Sequence, residues 1–219
     1  MNGASFFSHR LTQPHLSALS CSIIAGGRSS RFGSNKALAP WINGRSVIDS
    51  VVAAARAVTD RIIIISPDAH PYRHLGVPVY PDLIPGYGPL SGVHTALSMA
   101  GTARVLILAC DMPAVSPGFL RYMASIPTYA PVVVPESTSG LEPLHAIWHR
   151  SLTHVIEMFM ANNLTGMRRI LCELPCRIIS KTEISNMGLD HLGLISVNTP
   201  EALARLKNKI HRVHPSDLP

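Results

Sequence analysis

Residues 61–65 read Arg-Ile-Ile-Ile-Ile. Four β-branched aliphatics in succession leave no polar face, so this segment is a strand covered on both sides. Two longer runs, Leu19–Ala25 and Arg104–Cys110, are mostly apolar and also read as buried strands. Strands of this kind occur in parallel sheets sandwiched between helices, and helical patterns lie between them here. Val47–Val58 is Ala-rich, Leu90–Ala100 stops at Gly101, and Pro117–Ile126 has Ser116 as its N-cap with proline at the first helical position. Val77–Tyr80 and Pro131–Pro135 read as further short strands. The pattern predicts an α/β fold, a three-layer α/β/α sandwich with a mostly parallel central sheet.

The later segments are less regular. Leu144–Trp148 alternates loosely, and Ser151–Ala161 and Gly166–Cys172 read as helices. Arg177–Ser180 and Leu192–Val197 read as strands, and a last helix, capped by Thr199, runs from Pro200 to about Ile210. The expected organisation is an N-terminal extension over 1–18, one domain over 19–210 and a frayed tail over 211–219.

Composition narrows the class. The chain has 219 residues, 47% hydrophobic and 15% charged, enough for one full core and too greasy for a disordered protein. The formal charge of +6 suits a polyanionic small molecule, but only 5% of residues are aromatic and no basic run is interleaved with them. A nucleic-acid stacking surface is therefore not expected. No apolar run reaches the roughly 18 residues of a membrane span. His9, Arg10, Gln13, Pro14 and His15 break up the N-terminus, so no signal peptide is read and a cytoplasmic protein is expected. Of the four cysteines, Cys21 and Cys110 lie in strand patterns as buried hydrophobes. Cys172 and Cys176 have neither zinc nor redox spacing.

The first strand runs into Ala25-Gly26-Gly27-Arg28-Ser29-Ser30-Arg31-Phe32-Gly33-Ser34-Asn35-Lys36. Glycines let backbone approach phosphate, and Arg28, Arg31 and Lys36 supply neutralising charge. The spacing matches neither a P-loop nor Gly-x-Gly-x-x-Gly. A second loop, Pro81 to Gly92, carries Asp82 and a Gly-Pro-rich wall that includes Gly88. Asp111, in Cys110-Asp111-Met112-Pro113, stands where a strand ends; an aspartate there either holds a divalent cation over a phosphate or caps the next turn. Glu142, His145 and Asn198 are polar candidates for a second substrate, against the alternative of turn and cap residues. Gly-x-Ser-x-Gly and a Cys/His metal cluster are both absent from the sequence.

Ala25-Gly26-Gly27-x3-Arg31-Phe32-Gly33-x2-Lys36, Pro85-Gly86-Tyr87-Gly88-Pro89-Leu90-Ser91-Gly92, Cys110-Asp111-Met112-Pro113 and Asn198-Thr199-Pro200-Glu201 occur in that order. Across residues 19–210 the chain resembles the MobA-type molybdenum cofactor guanylyltransferases, in the wider class of Rossmann-like nucleotidyltransferases. The resemblance implies magnesium-dependent transfer of GMP from GTP to the terminal phosphate of molybdopterin. It implies nucleotide binding by Ile24, Ala25, Gly26, Gly27, Gly88 and Asp82, and phosphate contacts by Arg31 and Lys36. Asp111 would be the magnesium ligand, and Glu142, His145 and Asn198 would face the acceptor. Molybdenum-insertion and acceptor enzymes would be its protein partners, and it would be a monomer or weak oligomer. Asn35 replaces an aspartate common in the family, and Ser196 replaces an asparagine. Cytidylyl transfer to molybdopterin, another sugar-phosphate nucleotidyltransferase and a non-catalytic nucleotide-binding module remain open alternatives.

Overall fold

The computed structural model describes residues 19–26, 32, 35–189 and 191–213. The extension over 1–18, residues Gly27 and Arg31 of the glycine loop, and residues 214–219 lie outside them. The strands are β1 (Leu19–Ile24), β2 (Ile62–Ile65), β3 (Val79–Tyr80), β4 (Arg104–Ala109), β5 (Val132–Ser137), β6 (Gly140–Leu141), β7 (His145–His149) and β8 (Cys176–Ile179). The helices are α1 (Val47–Arg56), α2 (Pro89–Met99), α3 (Pro117–Ser125), α4 (Thr153–Ala161), α5 (Met167–Cys172), α6 (Lys181–Asn186) and α7 (Pro200–Val213).

The sheet runs β3-β2-β1-β4-β7-β5, with β8 and the short β6 also paired to β5. The pairs β3–β2, β2–β1, β1–β4 and β5–β8 are parallel, while β7 is antiparallel to both β4 and β5. Chain length explains the exception. A parallel crossover needs about a dozen residues or more, and the chain returns from Ser137 to His145 through a hairpin.

Strand alternation divides the core into two faces. In β4, Leu106 and Leu108 pack with Ile48 of α1, Phe119 and Leu120 of α3 and Ile184 of α6. Val105 and Ile107 face the other side, with Leu90 and Val93 of α2, Ile156 of α4 and Ile170 of α5. A smaller cluster of Trp41, Val47, Val197, Leu203 and Leu206 seats α7 against the body of the domain. Cys21 and Cys110 are buried, as their strand context indicates.

Local chemistry fixes the helix starts. Ser116 accepts a hydrogen bond from the Phe119 amide at 3.3 Å, and the Ala202 amide bonds Thr199 Oγ1 at 3.2 Å. At α1, Ser46 and Asp49 form a reciprocal capping box. The last helix continues three residues past Ile210, to Val213.

The expected strand over Leu192–Val197 does not form: His191–Leu194 is a 3-10 turn. Gly193 lies so close to the α3 approach that a Cβ there would meet the Ala114 carbonyl at 3.1 Å. This apolar run is thus pressed onto a loop rather than onto a strand edge.

Candidate active site

The carboxyl ends of the parallel strands share one edge of the sheet, because Ile24 is in register with both Ile65 and Ala109. Ligands of open α/β sheets bind at this edge. The Ile24 carbonyl accepts from the Cys110 amide at 3.1 Å, and the Ala25 amide donates to the Ile65 carbonyl at 2.8 Å. Ile24 and Ala25 therefore anchor the glycine loop into the sheet, and Gly26 is the first exposed residue beyond them.

Asp111 follows directly. It is 8% exposed, and its backbone carbonyl accepts from the Val197 amide at 2.8 Å. Lys36 arrives from the far end of the glycine loop on a single 3-10 turn. Asn35 caps that turn, its Oδ1 accepting from the Ala37 amide at 3.1 Å, while its Nδ2 donates to the buried Tyr72 hydroxyl, also at 3.1 Å. An aspartate at 35 has no N–H to donate to that hydroxyl.

So held, Lys36 Nζ lies 2.5 Å from Asp111 Oδ2 and donates to Asn198 Oδ1 at 2.9 Å. The second carboxylate oxygen, Asp111 Oδ1, is buried without a hydrogen-bond partner. Three residues from three distant parts of the chain meet at one ammonium group. Among the described residues no group of three or more His, Cys, Asp or Glu side chains is arranged to hold a metal. A cation here would rest on Asp111 and on oxygens of a bound ligand, the ordinary mode for Mg²⁺ on a nucleotide. The orphaned Oδ1 fits that role.

Beside this cluster opens a cleft of about 780 Å³, lined by Ser137, Glu142, Arg168, Asn198, Lys209 and Arg212 among others. Glu142 Oε1 accepts from Ser137 Oγ at 2.5 Å and lies 3.8 Å from Arg168. Burial raises the Glu142 pKa, the nearby Asp111 adds to this, and Ser137 and Arg168 oppose it. Arg168 also donates to the Leu141 carbonyl at 3.1 Å.

His145 is not brought to the cleft. It is fully buried on β7, neither ring nitrogen has a partner, and its ring packs 5.8 Å from that of Phe119. Burial lowers its pKa to about 4. Its contribution is a backbone amide that bonds the Glu142 carbonyl at 3.0 Å and so holds the turn carrying Glu142.

Asp82 lies in the loop after β3, half-buried, with its pKa raised by burial. No hydrogen bond or ion pair among the described residues joins it to the Lys36 cluster. The loop is shaped by Gly86 and Gly88, at φ of +102° and +59°. It is pinned by Thr95 Oγ1, which accepts from the Leu83 amide at 2.9 Å, and by Ser91 Oγ, which accepts from the Tyr87 amide at 3.1 Å. Gly92, read from sequence as part of this ligand loop, has another task. A Cβ there would meet the Ile24 side chain at 3.0 Å, so the glycine lets α2 lie directly on the end of β1. Sequence reasoning also missed Arg168, Lys209 and Arg212. The available signal was the Arg168-Arg169 pair opening a helix, which says nothing of the partner helix α7.

The family model of the MobA-like NTP transferase domain matches residues 21–177. The chain belongs to this family. A molybdenum cofactor guanylyltransferase from Desulfosudis oleivorans is 30% identical over 86% of this chain and 94% of its own length. The solved molybdopterin-guanine dinucleotide biosynthesis protein A from Archaeoglobus fulgidus has a TM-score of 0.72 at 20% identity, over 88% of this chain and 99% of that one. A protein from Mycobacterium tuberculosis solved with manganese has a TM-score of 0.59 at 16% identity, over 87% and 98% respectively. As a MobA-like NTP transferase, the chain has the family's sandwich and mixed sheet with parallel core strands. Among the described residues no helix is long and apolar enough to cross a membrane.

Proposed function

We propose that this protein transfers GMP from GTP to the terminal phosphate of molybdenum-loaded molybdopterin, making the guanine dinucleotide form of the cofactor. The observation that carries the proposal is the Lys36–Asp111–Asn198 cluster, where the glycine-loop strand end meets a cation-lined cleft. An oxygen of the acceptor phosphate forms a new bond to the α-phosphorus as the bond to the bridging oxygen of pyrophosphate breaks. The acceptor is already an anion at neutral pH, so no general base is required.

The chain's work is alignment and charge neutralisation. Lys36 and Arg31 hold phosphates, and the backbone from Ile24 to Gly27 with the Gly88 loop holds the nucleotide. Asp82 lies on the guanosine side. Asp111 holds the magnesium ion, which when bound offsets charge on the α-phosphate and the departing pyrophosphate. The acceptor lies along the cleft, over Glu142 and Asn198, with Arg168, Lys209 and Arg212 offsetting its negative charge. The protein acts in the cytoplasm as a monomer or weak oligomer, between the enzymes that insert molybdenum and those that take the finished cofactor.

The test is pyrophosphate release in the presence of magnesium and molybdenum-loaded molybdopterin, with each nucleoside triphosphate in turn. Release with GTP alone is expected. Release with CTP in its place would reassign the base, and GTP binding without release would make the protein a carrier.

A further inference from the structure

The cluster at Asp111 has a property beyond those roles. A single ammonium group bridges the metal carboxylate and the polar side chain that faces the acceptor cleft. Lys36 Nζ is 2.5 Å from Asp111 Oδ2 and 2.9 Å from Asn198 Oδ1. We infer that Lys36 is a stand-in cation that keeps metal off Asp111 and occupies Asn198 until nucleotide phosphates draw it away. The inference rests on the reading of Asp111 as the carboxylate that takes the metal.

The electrostatics favour an exchange of partners over simple addition. Like charges a few ångströms apart repel more strongly at a protein surface than in bulk water, because the effective dielectric is lower. A divalent ion arriving beside a seated ammonium meets that repulsion, doubled by its charge. The protein offers little in return, because one carboxylate oxygen is already taken and no cluster of three ligands exists among the described residues. A triphosphate changes both sides of the balance. Its oxygens complete the coordination of the metal and give the flexible lysine a new anionic partner. Once Lys36 turns to the phosphates, both Asp111 oxygens are open to the cation and Asn198 Oδ1 is released toward the cleft. Metal therefore binds with nucleotide rather than before it, and the acceptor binds last. By linkage, nucleotide and metal strengthen each other's binding.

The experiment is Mn²⁺ binding to the full chain, followed by paramagnetic resonance with and without a non-hydrolysable GTP analogue. Without nucleotide, Lys36→Met is expected to bind Mn²⁺ about tenfold more tightly than the wild type, from removal of a directly paired charge. With the analogue present, the gain in Mn²⁺ affinity that nucleotide brings should be large in the wild type and small in Lys36→Met. A residue that only supports the fold would not tighten nucleotide-free Mn²⁺ binding while shrinking the gain that nucleotide brings. Arg168→Met, which removes a charge that does not touch Asp111, should leave the nucleotide-free affinity within about threefold, as screening at an exposed site predicts. Lys36→Gln removes the charge while keeping a polar chain of similar reach, and it decides the matter if Lys36→Met fails to fold: it too is expected to bind Mn²⁺ about tenfold more tightly without nucleotide.

Equal or weaker nucleotide-free Mn²⁺ binding by a folded Lys36→Met, or an equal gain in Arg168→Met, overturns the inference. Asp111→Asn separates this outcome from failure of the underlying reading. If Asp111→Asn with nucleotide still binds Mn²⁺ like the wild type, the metal assignment itself is wrong. If that binding is lost while Lys36→Met shows no gain, only the stand-in role falls.

Discussion

Gly92→Ala puts one methyl group between α2 and the end of β1. The added Cβ would meet Cδ1 and Cγ2 of Ile24 at 3.0 Å and Cγ1 at 3.1 Å. Ile24 has little room to yield, since it is 7% exposed, lies in register with Ile65 and Ala109, and packs with Leu90 and Val93. Overpacking of this kind costs about 1–3 kcal/mol. Alanine in a helix interior returns about 1 kcal/mol relative to glycine. The net expectation is a loss of about 1 kcal/mol, or about 2–4 °C in Tm for a chain of this size. Gly118→Ala in α3 is the matched control. Its Cβ would meet only Ser116 Oγ at 3.7 Å, an ordinary contact, so the propensity gain should appear unopposed. Calorimetry of the two variants should therefore give shifts of opposite sign. The displaced helix also carries the Gly86–Gly88 loop on its N-terminal side, so Gly92→Ala should raise KM for GTP. A Gly92→Ala protein as stable as Gly118→Ala would show that α2 does not need this close approach.

Asp111→Asn keeps shape and removes charge, so the folded variant should show kcat lowered by about a hundredfold or more, the scale of a lost transition-state electrostatic partner; normal turnover by the folded variant would reject the metal assignment. Arg168→Ala should raise acceptor KM by about tenfold, as loss of a charge-assisted contact predicts, with KM for GTP unchanged; equal effects on both would place Arg168 outside acceptor binding. His145 titrates from an ordinary value of 6.5 down to about 4 in the fold. Its folded-state pKa is depressed, so the stability it confers is full above pH 6.5 and is lost as pH falls toward 4. His145→Phe, which fills the same site beside Phe119, should flatten that acid limb in urea titrations and leave pyrophosphate release intact; loss of turnover would give His145 a catalytic part.

The strands that build the sheet's parallel core could be read from residues 19–25, 61–65 and 104–110, because predominantly apolar runs of strand length fit a sheet covered on both faces. The motifs containing Lys36, Asp111 and Asn198 were visible for a similar reason. Glycines and charges that no core or ordinary turn requires stand out in a chain with 15% charged residues. Local chemistry also predicted the Ser116 and Thr199 caps. The meeting of Lys36 with Asp111 and Asn198 could not be read, since it depends on strand order and on Val197 docking against the Asp111 backbone. Burial likewise separated Glu142 from His145, three residues apart with similar polar character. One lines the cleft, and the other points into the core against Phe119. The expected strand at Leu192–Val197 is instead a 3-10 turn at His191–Leu194, lying so close to a segment nearly eighty residues earlier that a Cβ added at Gly193 would meet the Ala114 carbonyl at 3.1 Å. Composition, periodicity and motif spacing act over a few residues and so determined the elements and the chemical vocabulary of the site. Distances between residues far apart in sequence arise only when hydrophobic faces pack, and tertiary structure alone decided which of those residues touch.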